Sequence, residues 1–393
     1  MEHRKVAIIT TGGTISSVSS ENGIKPSEGV IKLILEKLSY NMNTLISKDG
    51  KTKVNIIPLF NKDSTNITLA DQANIAKTVY NSLTDADGIV ITHGTDTLQF
   101  TSSILSLMVQ NPNKPVVITG SMQTIESEKT DAYSNISDAL KFAVGGINGV
   151  FVAFHKRIMA ASWVYETKGS NGLTFKSILG DIANITKDEN IIYRVSKYQK
   201  AKTINSSILQ INYDDKIGTF TLSPNENNET LLETSQKSDG IILLSYGSAG
   251  IPERNFNIIR SISKRIPIVL SSQVPSIRTD FGNYEISILA KKAGVIIGTG
   301  LYSFDYSNMA LSLANSEYKN ASTEKERENK LNKFEEVFNK NRDRVLFEQS
   351  YSYRKILDVI KDGTNTNHHA TTPTHKKVSK SLYRVSNKVV NIN

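Results

Sequence analysis

Val6-Ala7-Ile8-Ile9-Thr10-Thr11-Gly12-Gly13-Thr14-Ile15 is an apolar run that stops at two glycines. It is rich in Ile and unbroken by polar alternation, which suits a strand buried on both faces of a parallel sheet. Runs of the same kind, bounded by Gly or Pro, recur at Gly88–Thr92, Pro115–Thr119, Gly149–Ala153, Gly240–Leu244, Pro267–Leu270 and Gly294–Ile297. Helical spacing of apolar residues fills the intervals at Leu69–Leu83, Thr97–Val109 and Ser134–Val144. Strand and helix in alternation mean βαβ units, hence an α/β fold with helices on both faces of parallel sheets.

The chain has 393 residues, enough for two domains. Between Ile191 and Phe220 the pattern changes: Tyr193, Val195, Ile208, Leu209 and Ile211 alternate with polar residues as in a hairpin. We therefore expect a larger N-terminal α/β domain over 1–205, a linker at 206–215 and a smaller C-terminal α/β domain over 216–318. An apolar helix, Met309–Ala314, closes the second unit. Beyond it come a helical extension at 319–362, with Leu331, Phe334, Val337 and Phe338 at helical spacing, and a basic tail at 363–393 whose composition predicts disorder.

The formal charge of +9 is concentrated at that end. Residues 319–393 hold 16 Lys and Arg against 9 Asp and Glu, which leaves 31 against 29 for the rest. A nearly neutral body needs no polyanionic partner, and any contact with nucleic acid falls to the tail. Cys is absent, which excludes disulfides, thiol catalysis and Cys-ligated metal. No apolar leader precedes Val6 and no apolar stretch nears membrane-spanning length, so the expectation is a cytoplasmic protein with no membrane partner.

Polar groups gather where strands end. Thr10-Thr11-Gly12-Gly13-Thr14 presents hydroxyls at a sharp turn, in the place where open α/β sheets bind ligands. An ordinary βα turn is the bland alternative, and the G-x-G-x-x-G of a dinucleotide loop is absent. Thr92-His93-Gly94-Thr95-Asp96-Thr97 follows a second buried run and opens a helix, so it offers hydroxyls, a carboxylate and free N–H groups together. Its alternative is that Thr95 or Asp96 caps the helix. Asp63-Ser64-Thr65-Asn66, after the strand-like Val54–Leu59, poses the same choice between site and cap.

Together these segments resemble the asparaginase/glutaminase family of Thr-dependent amidohydrolases. T-G-G-T-I at 11–15 and H-G-T-D-T at 93–97 are similar to its two signature segments, in order and on the right elements. The likeness continues through Asp63-Ser64, Lys114–Val117, Gly120-Ser121-Met122, Asp131 with Asn135, and Ser271–Pro275, and spans about residues 5–315. It implies an asparaginase-like pair of α/β domains and hydrolysis of a small amino-acid amide such as L-asparagine, with no metal or organic cofactor. It further implies Thr14 as the nucleophile that forms an acyl-enzyme, Thr95 as the second catalytic threonine, linked to a lysine, Asp96 as receiver of the substrate α-ammonium and Ser64, beside Asp63, as binder of its α-carboxylate. Protomers of the family pair to complete each site, so a homodimer or homotetramer is implied.

The chain departs from the family pattern at three places. Gly23-Ile24-Lys25-Pro26 stands where cytoplasmic members carry Gly-Tyr-x-Pro, so the lid hydroxyl is missing. Glu166 occupies the ungapped lysine position, and Lys168, two residues on and on the same strand face, is the candidate replacement. Gly250 stands where an Asn is common. Two alternatives stay open: a binding or regulatory protein on the same fold, and an amidohydrolase acting on a larger substrate such as aminoacyl-tRNA. His93 reads as a packed strand-end histidine, Trp163 as core. His155, His368, His369 and His375 come with no ligand set.

Overall fold

The computed structural model describes residues 3–297, apart from 22, 28, 39, 42–45, 48–49, 146, 168–173, 179, 189, 194–206, 248–249 and 275–284. Five parallel strands form its centre: β1 (Arg4–Gly12), β2 (Thr52–Lys62), β3 (Gly88–Thr92), β4 (Pro115–Thr119) and β5 (Gly149–Phe154). Their spatial order is β2-β1-β3-β4-β5, every neighbouring pair parallel.

The register shows why these runs had to be apolar throughout. Ile56, Ile8, Val90, Val117 and Phe151 line up across the sheet, and the next row is Ile57, Ile9, Ile91, Ile118 and Val152. Successive side chains point to opposite faces, so the two rows feed two cores. The first row packs with Ile31 and Ile34 of α1 (Val30–Lys37) and Ile136 and Phe142 of α4 (Ala132–Gly145). The second packs with Ile75 and Val79 of α2 (Leu69–Ser82) and Ile104 and Leu107 of α3 (Leu98–Met108). Each fully buried Ile or Val contributes roughly 1.5–3 kcal/mol by transfer from water.

The edges depart from the parallel pattern. Beyond β5 the sheet continues antiparallel through β6 (Arg157–Ala160), β7 (Ala183–Ile185) and β8 (Ile191–Tyr193); beyond β2 it continues through Ile46–Ser47 and Tyr40–Asn41. The alternation read as one hairpin is a correction. Ile191–Tyr193 pairs with Ala183–Ile185, whereas Ile208–Leu209 pairs with Val109–Gln110. Alternation reports which face is buried but says nothing about the partner strand.

A second, all-parallel sheet follows in the order β9 (Ile217–Thr221), β10 (Gly240–Ser245), β11 (Ile268–Ser272) and β12 (Ile296–Ile297). One face packs Leu243 and Leu270 against Leu231 of α5 (Asn228–Gln236), Ile259 and Ile262 of α6 (Glu253–Ser263) and Ala290 of α7 (Glu285–Lys292). From the other face Ile242, Val269 and Ile296 join the core under α2 and α3. The expected apolar helix at 309–314, the extension at 319–362 and the tail at 363–393 lie outside the described residues. Among the described residues no helix is long and apolar enough to cross a membrane.

Candidate active site at the strand ends

Three strand ends meet because glycines let their backbones touch. Thr11 Oγ1 donates to Thr92 O at 2.8 Å, tying β1 to β3, and Gly13 N donates to Lys62 O at 3.0 Å, tying β1 to β2. Gly13 has φ 75 and faces Gly94, and a Cβ added to it would lie 2.3 Å from both the Cα and the N of Gly94. A Cβ on Gly94 would in turn lie 2.5 Å from Ser64 Oγ. Gly13, Gly94 and Ser64 are thus stacked with no room for a side chain between them. The residues that follow the two glycines, Thr14 and Thr95, are brought together with Ser64 by that stack. Thr97 Oγ1 donates to Ser64 O at 2.8 Å and closes the group.

Local structure separates the site reading from the capping reading at each position. Thr14 begins a 3-10 turn, Thr14–Ser16, whose N-cap Gly13 makes no side-chain cap. Ser17 Oγ donates to Gly13 O at 2.7 Å and holds this turn, leaving Thr14 half-buried above Ile15. Thr95–Thr97 is another 3-10 turn, capped by Gly94 without a side-chain bond, and Thr97 at the start of α3 gives none either. Neither Thr95 nor Asp96 caps a helix. Asp63 does cap: its Oδ1 accepts from Thr65 N at 2.9 Å and Thr65 Oγ1 at 2.8 Å. Among the described residues, the hydroxyls of Thr14, Ser64 and Thr95 and the carboxylate of Asp96 take no side-chain hydrogen-bond partner. Ser64 is buried, Thr14 and Thr95 are half-buried and Asp96 is exposed, a gradation that suits a cleft open on one side.

His93 is the packed histidine expected at this strand end. Its Nδ1 lies 2.8 Å from Gly94 O and its Nε2 2.9 Å from Thr101 Oγ1, which accepts from Gln72 Nε2 at 3.1 Å. A carbonyl only accepts, so Nδ1 carries the proton and Nε2 accepts from Thr101. Burial lowers the His93 pKa to about 4 against the single opposing bond to Gly94, which keeps the ring neutral.

Lys168 lies outside the described residues. Glu166, half-buried, ends the strand Val164–Glu166, which pairs with Phe175–Ser177, and its backbone N donates to Gln99 Oε1 in the first turn of α3. Ile24 stands opposite Ser19 in the hairpin of Ser17–Ser20 and Gly23–Pro26, and Ser19 N donates to Glu126 Oε2 at 2.8 Å. Among the described residues no group of three or more His, Asp or Glu is placed to hold a metal ion.

Sequence reasoning left one cluster without a role. After β4 the chain passes Gly120, where an added Cβ would lie 2.5 Å from His93 O and 3.6 Å from Thr95 Cγ2. Asp131 and Asn135 hold this loop, and His155, for which the sequence offered no partner, stands 3.4 Å from Asp131 Oδ2. The i, i+4 spacing of Asp131 and Asn135 was the available signal; the third member comes from a distant turn.

Residues 5–198 match the family profile described as "Asparaginase, N-terminal". The chain is 34% identical over 296 residues to an L-asparaginase of Thermococcus kodakarensis, covering 74% of this chain and 87% of that protein. It is 29% identical over 316 residues to one component of the glutamyl-tRNA(Gln) amidotransferase of Methanobrevibacter smithii, covering 75% and 68%. The solved thermostable L-asparaginase of Thermococcus kodakarensis superposes with a TM-score of 0.73 at 32% identity, across 85% of this chain and 96% of that one. With one third of the residues shared over three quarters of its length, and the family's two signature loops stacked at one end of the sheet, the chain belongs to the asparaginase family.

Proposed function

We propose that the protein hydrolyses the side-chain amide of L-asparagine, releasing ammonia through an acyl-enzyme on Thr14. The observation that carries the reading is the Gly13–Gly94–Ser64 stack, which gathers the two threonines and Ser64 with their hydroxyls unspent among the described residues. In this scheme Thr14 Oγ attacks the amide carbon, the amide nitrogen leaves as ammonia and water then hydrolyses the ester. A threonine hydroxyl is a weak nucleophile at neutral pH and needs a base relay. Thr95 with Lys168 supplies that relay, and Lys168 is the lysine the sequence offers next to Glu166. Exposed Asp96 takes the α-ammonium, buried Ser64 the α-carboxylate, and Asp63 holds the turn that presents Ser64. Backbone N–H groups at the glycine turn receive the negative charge that develops on the carbonyl oxygen.

The scheme includes the two-domain division at 1–205 and 216–318 and a homodimer or homotetramer in which protomers complete each other's sites. Ammonia release from L-asparagine and L-glutamine, beside Thr14→Ala, tests it. Release that disappears in the variant supports the nucleophile; release that persists removes Thr14 from that role. The amidotransferase relative favours a second reading, hydrolysis of a larger amide with the basic segment 319–393 contacting RNA. RNA binding that falls steeply with salt and is lost on removing 319–393 is its signature.

A further inference from the structure

The loop after β4 is held by a network that has no part in the scheme above. Asp131 Oδ1 accepts from Met122 N at 2.9 Å and Gln123 N at 3.1 Å, and its Oδ2 lies 3.1 Å from Met122 N. Asn135 is fully buried with both ends of its amide engaged: Nδ2 donates to Gly120 O and to Asp131 Oδ2, both at 2.9 Å, and Oδ1 accepts from His155 N at 3.1 Å. His155 Nε2 adds its 3.4 Å contact to Asp131. His155 and Lys156 form the β5–β6 turn, with φ 49 and 63. The network therefore joins the strand-end loop, the start of α4 and the turn beyond β5.

Its charge is maintained at a cost. Burial, the largest influence on Asp131, opposes ionisation, yet the bonds from His155, Met122 N and Gln123 N outweigh it and hold the carboxyl below its usual range. The loop is buried at Gly120 and Ser121 and exposed at Met122 and Gln123, and the carboxylate grips it at the two exposed residues. What the carboxylate fixes is the path of Gly120–Gln123, and Gly120 is the residue packed so near His93 and Thr95 that an added Cβ would lie 2.5 Å from His93 O and 3.6 Å from the Thr95 methyl.

We infer that Asp131, backed by Asn135 and His155, is a positioning residue for the reaction: it sets the loop Gly120–Gln123 against Thr95 and so fixes the orientation of the Thr95 hydroxyl. Asp131 touches neither substrate nor nucleophile and acts through Gly120. This rests on the reading of Thr95 as part of the amide-hydrolysing machinery. The groups assigned to substrate binding, Ser64 and Asp96, do not contact this loop's anchor, so the effect falls on turnover and spares binding.

The test compares Asp131→Asn and Asp131→Ala with Asp138→Asn. Asp138, a buried carboxylate within α4, pairs with Lys156 at 2.9 Å and does not contact the loop. Asp131→Asn keeps an acceptor for Met122 and Gln123 but sets an N–H against the Asn135 amide; Asp131→Ala removes the anchor. The expectation is a kcat on L-asparagine reduced roughly 10- to 100-fold in both Asp131 variants. KM should stay within about 3-fold, since the binding groups are untouched, and Asp138→Asn should keep its kcat while losing comparable stability. Equal kcat in all three variants, or a loss that only tracks stability, overturns the inference and leaves asparagine hydrolysis standing. Hydrogen exchange at the amides of 93–97 reads the same placement without turnover. Faster exchange in Asp131→Asn with Asp138→Asn unchanged supports it even where wild-type protein releases no ammonia, and unchanged exchange in both overturns it.

Discussion

Lowering the pH should loosen the protein through His93, and by an amount the structure sets. The ring is fully buried, with Nδ1 donating to Gly94 O and Nε2 accepting from Thr101. A proton added to Nε2 would make it a donor and leave the Thr101 hydroxyl without its acceptor in a fully buried site. The folded pKa is thus pushed from 6.5 to about 4, mainly by burial. A group whose folded pKa lies below its unfolded value binds more protons when unfolded. The stability it allows is complete above about pH 6.5 and is lost as pH falls toward 4. Each unit is worth about 1.4 kcal/mol, so the whole interval amounts to about 3 kcal/mol, a large share of a typical 5–15 kcal/mol. Urea unfolding followed by Trp163, the sole tryptophan and buried on the β6 side of the first sheet, is the assay. Wild type and His93→Gln are compared from pH 7.5 to 4.5, because other carboxyls and histidines titrate equally in both. The stability gap between them should narrow by about 2–3 kcal/mol over that range. A gap independent of pH refutes the neutral, bonded His93.

Gly94→Ala should cost about 1–3 kcal/mol in the same unfolding assay and abolish ammonia release, since its Cβ would lie 2.5 Å from Ser64 Oγ and 3.2 Å from Gly13 Cα; retained activity would mean the three loops are not stacked. Glu126→Ala removes the acceptor of Ser19 N and should speed limited proteolysis within 17–26 while leaving the Trp163 transition in place. Equal cleavage rates would show that Glu126 does not latch the hairpin.

The central sheet was legible because each parallel strand is buried on both faces, as the rows through Ile8 and Ile9 demand, and nothing but an unbroken apolar run satisfies that. The flanking strands were not. Arg157–Ala160 and Ala183–Ile185 are short, and their pairing depends on the turn at His155 and on residues distant in sequence. At the candidate site, the glycine doublet and the H-G-T-D-T block marked turns that the fold brings together, because only residues without Cβ allow backbones to meet there. Sequence could not decide between cap and site, since Asp63 and Asp96 stand in similar strand-to-helix turns. The difference is geometric: Thr65 N reaches Asp63, and among the described residues no backbone N–H reaches Asp96. The Asp131–Asn135–His155 network needed the fold itself, because its members meet only where β4, α4 and the β5–β6 turn converge.

The departures from the family pattern fall on particular parts of this architecture. The stack of Gly13, Gly94 and Ser64 is made of backbone and one short side chain, and depends on neither the residue at 24 nor the residue at 166. Ile24 sits in the hairpin that continues the Thr14–Ser16 turn and is held to Glu126 through Ser19, and Glu166 ends a strand held to α3 through Gln99. On the proposed scheme, exchanging them changes which groups can move protons to and from Thr14 and Thr95, but leaves in place the hydroxyls and the carboxylate to which that scheme gives the binding of an amino-acid amide. On the proposed reading, adaptation in this chain therefore acts on the relay, and its kinetic mark is on kcat. An enzyme tuned at its binding groups would instead carry substitutions at Ser64 or Asp96, where this chain keeps the side chains its family pattern implies.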